Sequence, residues 1–469
     1  MDQAHTPLAD AAEAFLADRR IAPFTTPGHK RAPHLADDFL RHDLPLSSGA
    51  DDLHTRGGYL AAAEGLAAEL WGADLCRFCL NGSTQGNQAL ALAAARPGQR
   101  AIVSRNLHKS VFAGLVLAGL EPVWIRPEID RRTGLAHGIR TEALAAALAV
   151  APDVHAVVLV EPSFVGVVSD VAALASLSHE AGLPLIVDQA WGAHFGFHPG
   201  LPAHSLALGA DAMVVSAHKT LTSFTQGAYL FARGGRLDLA RVSEAFDLLH
   251  TTSPSAAILA SLDRARRLMA TRGAELLGRT LELAAGFRDR MAGVEGLTVV
   301  DSDDSTKLVL ALAATGADGL EVEADLVSEG IRLELANRDT LIPLLTIADT
   351  EETVERLADA LLRALERRRG TPREPGGASI VWSIEPEVGM SPREAFFAPR
   401  ETVPVDRAVG RLAAETVAPY PPGIPALAPG EVVTAPLVDA LREAAAAGTR
   451  LAYCSDPLLG TLQVVRSGS

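Results

Sequence analysis

Lysine is almost missing from this chain: four residues, Lys30, Lys109, Lys219 and Lys307, stand within a Lys+Arg total of 42. Arginine fills every other basic position, so lysine is kept where a guanidinium will not serve. Only lysine offers an amine that can lose its proton and form a Schiff base. Three of the four directly follow a histidine, as His29-Lys30, His108-Lys109 and His218-Lys219, a coincidence of roughly one in ten thousand by composition. At least one of these lysines is expected to be chemical.

Cysteine is nearly as scarce, with three residues. Cys76 and Cys79 form a single C-x-x-C in LCRFCLNG, without the two further ligands zinc needs and without the helix start of a redox motif. Buried structural thiols are the expectation, with Cys454 also in a core and no metal site. No apolar run reaches 18 residues, and MDQAHTPLAD lacks a basic-then-apolar leader, so a cytoplasmic protein without membrane contact is expected. A net charge of −15 argues against non-specific nucleic-acid binding and is compatible with a cationic small substrate. With 48% hydrophobic and 21% charged residues over 469 positions, the chain reads as an ordinary globular protein of two to three domains.

Residues 1–50 read as an irregular, Pro-rich arm with one short helix in AAEAFLADRR. Residues 51–275 alternate helices with short apolar strands, the pattern of an α/β domain with a mainly parallel sheet. Ligands of such sheets bind beyond the carboxyl ends of the strands. A long helix is predicted around 256–293, and 276–367 reads as a smaller α+β domain. Residues 368–378 lose periodicity and read as a linker, leaving 379–469 as a separate C-terminal unit.

Lys219 follows an apolar strand in VVSAHKTLTSFTQGA, among the small polar residues Ser216, His218 and Thr220. That setting suits a phosphate or an aldehyde-bearing cofactor. Asp188 ends PLIVDQA; it could cap a turn, or a buried carboxylate could hold a pyridinium nitrogen protonated. One further strand separates it from Lys219, so both fall at neighbouring strand ends, a spacing that fits pyridoxal 5′-phosphate (PLP). The run Asn81-Gly82-Ser83-Thr84-Gln85-Gly86-Asn87 opens a helix and reads as a phosphate cradle or as an ordinary capped turn. His108, at another strand-to-helix turn, could cap the helix or stack on a planar cofactor.

Taken in order, TPGHK (26–30), DDLH (51–54), NGSTQGNQ, NLHKS, VDQAWGAHF, SAHKTLTSFTQGA and TTSPS resemble the bacterial ornithine/lysine/arginine decarboxylases of the fold-type-I PLP class. GMSPREAF, APYPPGIPALAPGE and SDPLLGTLQV are similar to that family's C-terminal domain, and the likeness runs from about residue 21 to 466. It implies an aminotransferase-like large domain with a mainly parallel sheet, a smaller α+β domain and a C-terminal domain. It also implies PLP-dependent decarboxylation of arginine, lysine or ornithine in a homodimer with its site at the subunit boundary.

By motif, Lys219 would form the internal aldimine, Asp188 would bind the pyridine nitrogen, and Ala190 and His108 would pack on the two ring faces. Ser83, Thr84, Ser216 and His218 would hold the phosphate, with Thr252 and Ser255 reaching from a partner subunit. Glu431 would meet the substrate's distal cation. Losing CO2 would leave a carbanion absorbed as a quinonoid. The chain resembles the short branch without an N-terminal wing domain, and departs from the pattern at Gln189 and at Ala256-Ala257. Other readings are an aminotransferase or aldol-type lyase, for which Arg332 or Arg338 could hold an α-carboxylate, and a catalytically silent PLP-fold protein.

Overall fold

A computed structural model describes residues 1–18, 27, 29–30, 43–44, 46, 58–130, 133, 135–375, 378–385, 387–420, 423–446 and 448–466. The DDLH motif, with Thr26 and Gly28 of TPGHK, lies outside the described residues. Helix α1 (Pro7–Ala17) precedes the large domain, which runs α2 (Tyr59–Trp71), β1 (Leu75–Cys79), α3 (Gly82–Ala94), β2 (Arg100–Ser104), α4 (Lys109–Ala118) and β3 (Glu121–Ile125). The small ribbon β4 (Ile129–Asp130) and β5 (Leu135–Ala136) follows, then α5 (Thr141–Val150), β6 (Val154–Val160), α6 (Val171–Glu180) and β7 (Leu185–Asp188). β8 (Ala212–Val215), the one-turn α7 (Ala217–Thr220), β9 (Ala228–Ala232) and α8 (Leu239–Leu249) complete it.

Its sheet has the order β1-β9-β8-β7-β6-β2-β3, with β9 antiparallel to both neighbours and the other pairings parallel. After β3 the chain returns past β2 to β6, so the strand order reverses between β2 and β6, where a crevice opens at the carboxyl ends. The central strands are short, apolar and buried on both faces, as parallel strands covered by helices must be. α3 lies so close to β8 that a Cβ on Gly86 would come within 2.7 Å of Val214 Cγ1. Only glycine permits that approach, which brings the helix over the crevice.

Strand β1 turns Cys76 and Cys79 into opposite cores. Side chains three apart on a strand face opposite ways, so this pair cannot chelate one ion. Burial raises both thiols above the usual cysteine value. Cys454, expected in a core, is instead half-buried at the edge of the C-terminal cluster.

Helix α9 (Ala256–Met291) runs unbroken through the expected 275/276 boundary. Its first half packs in the large-domain core and its second half in the small-domain core. Its fully buried Asp263 accepts from the Leu8 and Ala9 N–H groups at the start of α1 and pairs with Arg266, which docks the N-terminal arm. The small domain is the antiparallel sheet β10 (Thr298–Val300), β11 (Val309–Ala311), β13 (Thr340–Ile342) and β12 (Leu335–Ala336), with α10 (Gly319–Ser328) and α11 (Glu351–Arg368). The predicted linker is pinned: Arg373 donates to Asp339 and to the Ala317 and Arg338 carbonyls. The C-terminal unit holds α12 (Ala378–Ser383), α13 (Pro392–Phe397), β14 (Arg400–Pro404), α14 (Val405–Ala408), β15 (Ala418–Tyr420), α15 (Ala435–Ala446), β16 (Arg450–Ala452) and β17 (Thr461–Val465). Arg393 of α13 caps the α4 carbonyls of Val116 and Leu117, fastening this unit to the large domain.

Candidate active site

The crevice is a cavity bounded by residues that follow five strands of one sheet edge. Ser83 follows β1, His108 follows β2, Phe164 follows β6, Asp188 and Trp191 end or follow β7, and Lys219 follows β8. The small domain adds Leu335, Arg338 and Ile342; the C-terminal unit adds Trp382, Ile424 and Thr449. All three units therefore close over one space.

Asp188 is 3% exposed at the end of β7. Its Oδ2 accepts from Asn87 Nδ2 at 2.8 Å and its Oδ1 from the Ala190 N–H at 3.2 Å. The Asn87 amide also donates to Ser110 Oγ at 3.0 Å, and Ser110 Oγ lies 2.8 Å from His108 Nδ1. His108 is the N-cap of α4, with Nδ1 accepting from the Ser110 N–H, which leaves the proton of the neutral ring on Nε2. His108 thus caps α4 and also lines the cavity. Burial lowers its basicity; Asp188 opposes that shift, and Lys219 and Lys109 add to it.

Strand β8 ends at Val215, and Lys219 sits on the single turn of α7, so the lysine is presented by a helical turn rather than by the strand itself. Its Nζ lies 4.1 Å from the centroid of the Trp191 ring. Burial pushes the Lys219 amine below the usual lysine value, against the pull of Asp188 and Glu334. A lysine that gives up its proton more easily is the kind that can act as a nucleophile.

Whether these residues fit PLP is tested by the groups left without partners. The first turn of α3 has no side-chain cap among the described residues, and the Ser83 hydroxyl in that turn stands 3.0 Å from the Ser216 hydroxyl. Among the described residues, the buried Thr220 hydroxyl and the amide oxygen of Asn106 have no hydrogen-bond partner. His218 Nδ1 is fixed on the Gly227 carbonyl at 2.9 Å, and its Cε1 is 3.9 Å from where a Cβ on Gly82 would stand. An uncapped helix start beside two hydroxyls suits a phosphate, and a buried carboxylate beyond them suits a ring nitrogen. The residues fit the cofactor.

The structure gathers Ser83, His108, Asp188, Ala190 and Lys219 on the cavity wall, with Ser216 and His218 directly behind. Thr84 is half-buried on α3 and does not line the cavity. Thr252 is exposed and Ser255 half-buried before α9, both outside this chain's own cavity. Glu431 requires a correction. Its carboxylate is bidentate with Arg105, at 2.6 and 2.8 Å, and also accepts from the Ala428 N–H. Both partners are buried, so this acid is already matched by a cation and does not face the cavity.

Two departures from the family pattern find a physical account. Gln189 turns away from the cavity, accepting from the Ser205 N–H and hydroxyl and donating to the Gly192 carbonyl. Ala256 and Ala257 begin α9 and do not line the cavity. Of the two arginines considered for a carboxylate, Arg332 is exposed and off the cavity, whereas Arg338 lines it while paired with Asp339.

Sequence reasoning missed Trp191, Arg105 and Lys307 as parts of this region, and it placed Asn87 in a phosphate cradle or capped turn rather than as a donor to Asp188. Asn87 and Trp191 stand inside quoted motifs, and Lys307 is one of only four lysines, so each carried a signal. Arg105 carried none, because an arginine among so many is silent until its partner is located.

Residues 6–311 match the Orn/Lys/Arg decarboxylase major domain and residues 379–452 the C-terminal domain of the same family. The chain is 34% identical over 483 residues to an arginine decarboxylase of Halalkalibacterium halodurans, covering 99% of this chain and 98% of that protein. It is 34% identical over 485 residues to an arginine decarboxylase of Bacillus subtilis, covering 99% of each. In fold it is similar to the lysine decarboxylase of Francisella novicida, with a TM-score of 0.83 at 19% identity, covering 98% of this chain and 81% of that one. With both domains matched in order and relatives aligned end to end, the chain belongs to the Orn/Lys/Arg decarboxylase family.

Proposed function

We propose that the protein is a PLP-dependent arginine decarboxylase, releasing CO2 and the corresponding amine. The observation that carries this reading is the meeting of Lys219, Asp188 and His108 on one cavity at the strand-order reversal. The choice of arginine rests on the full-length relatives bearing that name. Ser83, Ser216, His218 and the first turn of α3 would hold the phosphate, Asp188 the ring nitrogen, and His108 and Ala190 the ring faces. Bound there, PLP supplies an electron sink for the pair released when the carboxylate leaves.

The chain's own residues prepare that chemistry. Lys219 offers an amine that burial disposes to be neutral and reactive at Nζ. Asn87 and the Ala190 N–H fix the Asp188 carboxylate, so it holds a proton on a facing nitrogen without reorganising. Ser110 orients His108 and keeps its proton on Nε2. Phe164, Leu335, Ile342, Trp382 and Ile424 turn apolar surface to the cavity, and such a wall disfavours a charged carboxylate relative to the neutral CO2 it becomes. Thr252 and Ser255 lie outside this cavity, and in the homodimer proposed for this enzyme they would serve the partner's site.

Carboxyl-labelled arginine, lysine and ornithine should each be offered to the purified enzyme, with CO2 and the product amine measured. Arginine is expected to turn over fastest, and Lys219→Ala to abolish both turnover and the absorbance of bound cofactor. Preferred turnover of lysine or ornithine would overturn the substrate. Keto-acid formation would point instead to a transaminase using Arg338, the arginine on the cavity wall.

A further inference from the structure

Two of the four lysines meet at one aromatic ring. Lys219, from the large domain, places Nζ 4.1 Å from the Trp191 centroid. Lys307, from the small-domain segment before β11, places its own Nζ 3.6 Å from the same centroid. Phe164 meets Trp191 edge-on at 5.3 Å and helps to fix the ring. Lys307 is 3% exposed, and among the described residues its amine has no carboxylate within ion-pair distance and no hydrogen-bond acceptor. Its nearest acid on the same loop, Asp304, is committed to His194 and to the Thr306 N–H and hydroxyl.

The Lys307 backbone is held firmly. Its N–H donates to the Asp304 carbonyl, its carbonyl accepts from Arg288 on α9, and a Cβ on Gly166 would stand 3.0 Å from its own Cβ. A lysine placed so rigidly, with acids nearby but no direct ion pair among the described residues, is not a solvated or salt-bridged surface group. A cation held over an indole gains only part of what burial removes.

We propose that Lys219 and Lys307 form a coupled lysine pair on Trp191, in which a proton on one amine opposes a proton on the other, so that Lys307 sets how readily Lys219 becomes nucleophilic. Lys307 is thus a positioning residue, acting through a neighbour rather than on the substrate. Groups facing Lys307 are Asp304 and its partner His194, Glu334 before β12, Lys219, and Arg288 at the backbone. Groups facing Lys219 are Asp188, His108, His218 and Glu334. Burial pushes the Lys307 amine down to about 8, with Asp304 and Glu334 opposing and Lys219 adding to the shift. Two sites coupled this way lose their protons in steps that belong to the pair.

This inference gives the proposed Schiff-base role of Lys219 its physical basis, and its test needs no cofactor. Trace acetylation of the full-length protein, first freed of any bound aldehyde so that the Lys219 amine is available, reports each amine separately by mass spectrometry across neutral to alkaline pH because there are only four lysines. In Lys307→Met the Lys219 reactivity curve should move to higher pH by about one unit or more. In Lys219→Met the Lys307 curve should move the same way, since coupling is reciprocal. In Lys307→Arg, where the charge cannot leave, the Lys219 curve should stay low and become a single step. Superimposed Lys219 curves for the parent and a folded Lys307→Met would overturn the proposal. Should that variant not fold, a Lys219 curve in the ordinary lysine range for Lys307→Arg overturns it equally. A parent that couples its lysines but takes up no PLP would sink the cofactor reading alone.

Discussion

Asn87 shows how much one amide can organise. It donates to both Asp188 and Ser110, and through Ser110 it reaches His108, so two cavity groups depend on its two N–H bonds. Asn87→Ala leaves a buried carboxylate with one donor fewer, a loss of about 1–3 kcal/mol. The expected result is a lower urea midpoint and a fall in kcat larger than any change in KM for substrate. A variant with unchanged kcat would show that Asp188 and His108 hold their places without it. Gln189 makes the converse point, since its side chain answers to Ser205 and Gly192 and leaves the site untouched by the substitution.

Between elements, the Arg105–Glu431 pair joins the end of β2 to the C-terminal unit, with side-chain exposures of 5% and 3%. Removing one partner strands a buried charge at a cost of about 3–5 kcal/mol, whereas replacing both by apolar residues is far milder. Arg105→Met and Glu431→Met should each lower stability strongly, and the double variant should recover most of it in a urea double-mutant cycle. Additive losses would rule out the pair; a Glu431→Gln that mainly raised KM would return that acid to substrate binding. At the end of β6, Glu161 accepts from the Ser169 N–H and hydroxyl, and burial pushes its carboxyl up to about 7 despite these donors. The folded state therefore holds this proton more tightly than the unfolded chain. That contribution is complete below about 4.5 and fades as pH rises through about 7, on the order of 3 kcal/mol in all. Denaturation across this window should show a flatter profile for Glu161→Gln than for the parent; matching slopes would assign the pH dependence elsewhere.

For the whole molecule, the cavity needs all three units. His194 of the large domain meets Asp304 of the small domain at 3.2 Å, both buried, which ties the two across the crevice. Burial alone would raise the Asp304 carboxyl, yet His194, Thr306 and Lys307 hold it below the usual range. The proposed homodimer adds a fourth contributor. Lys219→Ala and a Thr252→Ala/Ser255→Ala double variant, each weak alone, should regain about a quarter of parental activity when mixed and reassembled, because half the dimers then hold one intact site. No recovery in a proven mixed dimer would place those two residues outside any site.

The alternation of apolar strands with helices settled the α/β class, since short buried strands and amphipathic helices are local patterns that leave a single layered solution. Lysine scarcity and the strand-end motifs likewise pointed to Lys219, Asp188, Ser83 and His108, because a parallel sheet delivers its carboxyl ends to one edge. Sequence could not reveal that Glu431 is claimed by Arg105, that Gln189 turns outward, or that Lys307 joins Lys219 at Trp191. Each depends on a contact between residues far apart in the chain, and whether a buried charge is free or matched is a property of the neighbour that folding brings to it. Only the tertiary structure could make that assignment.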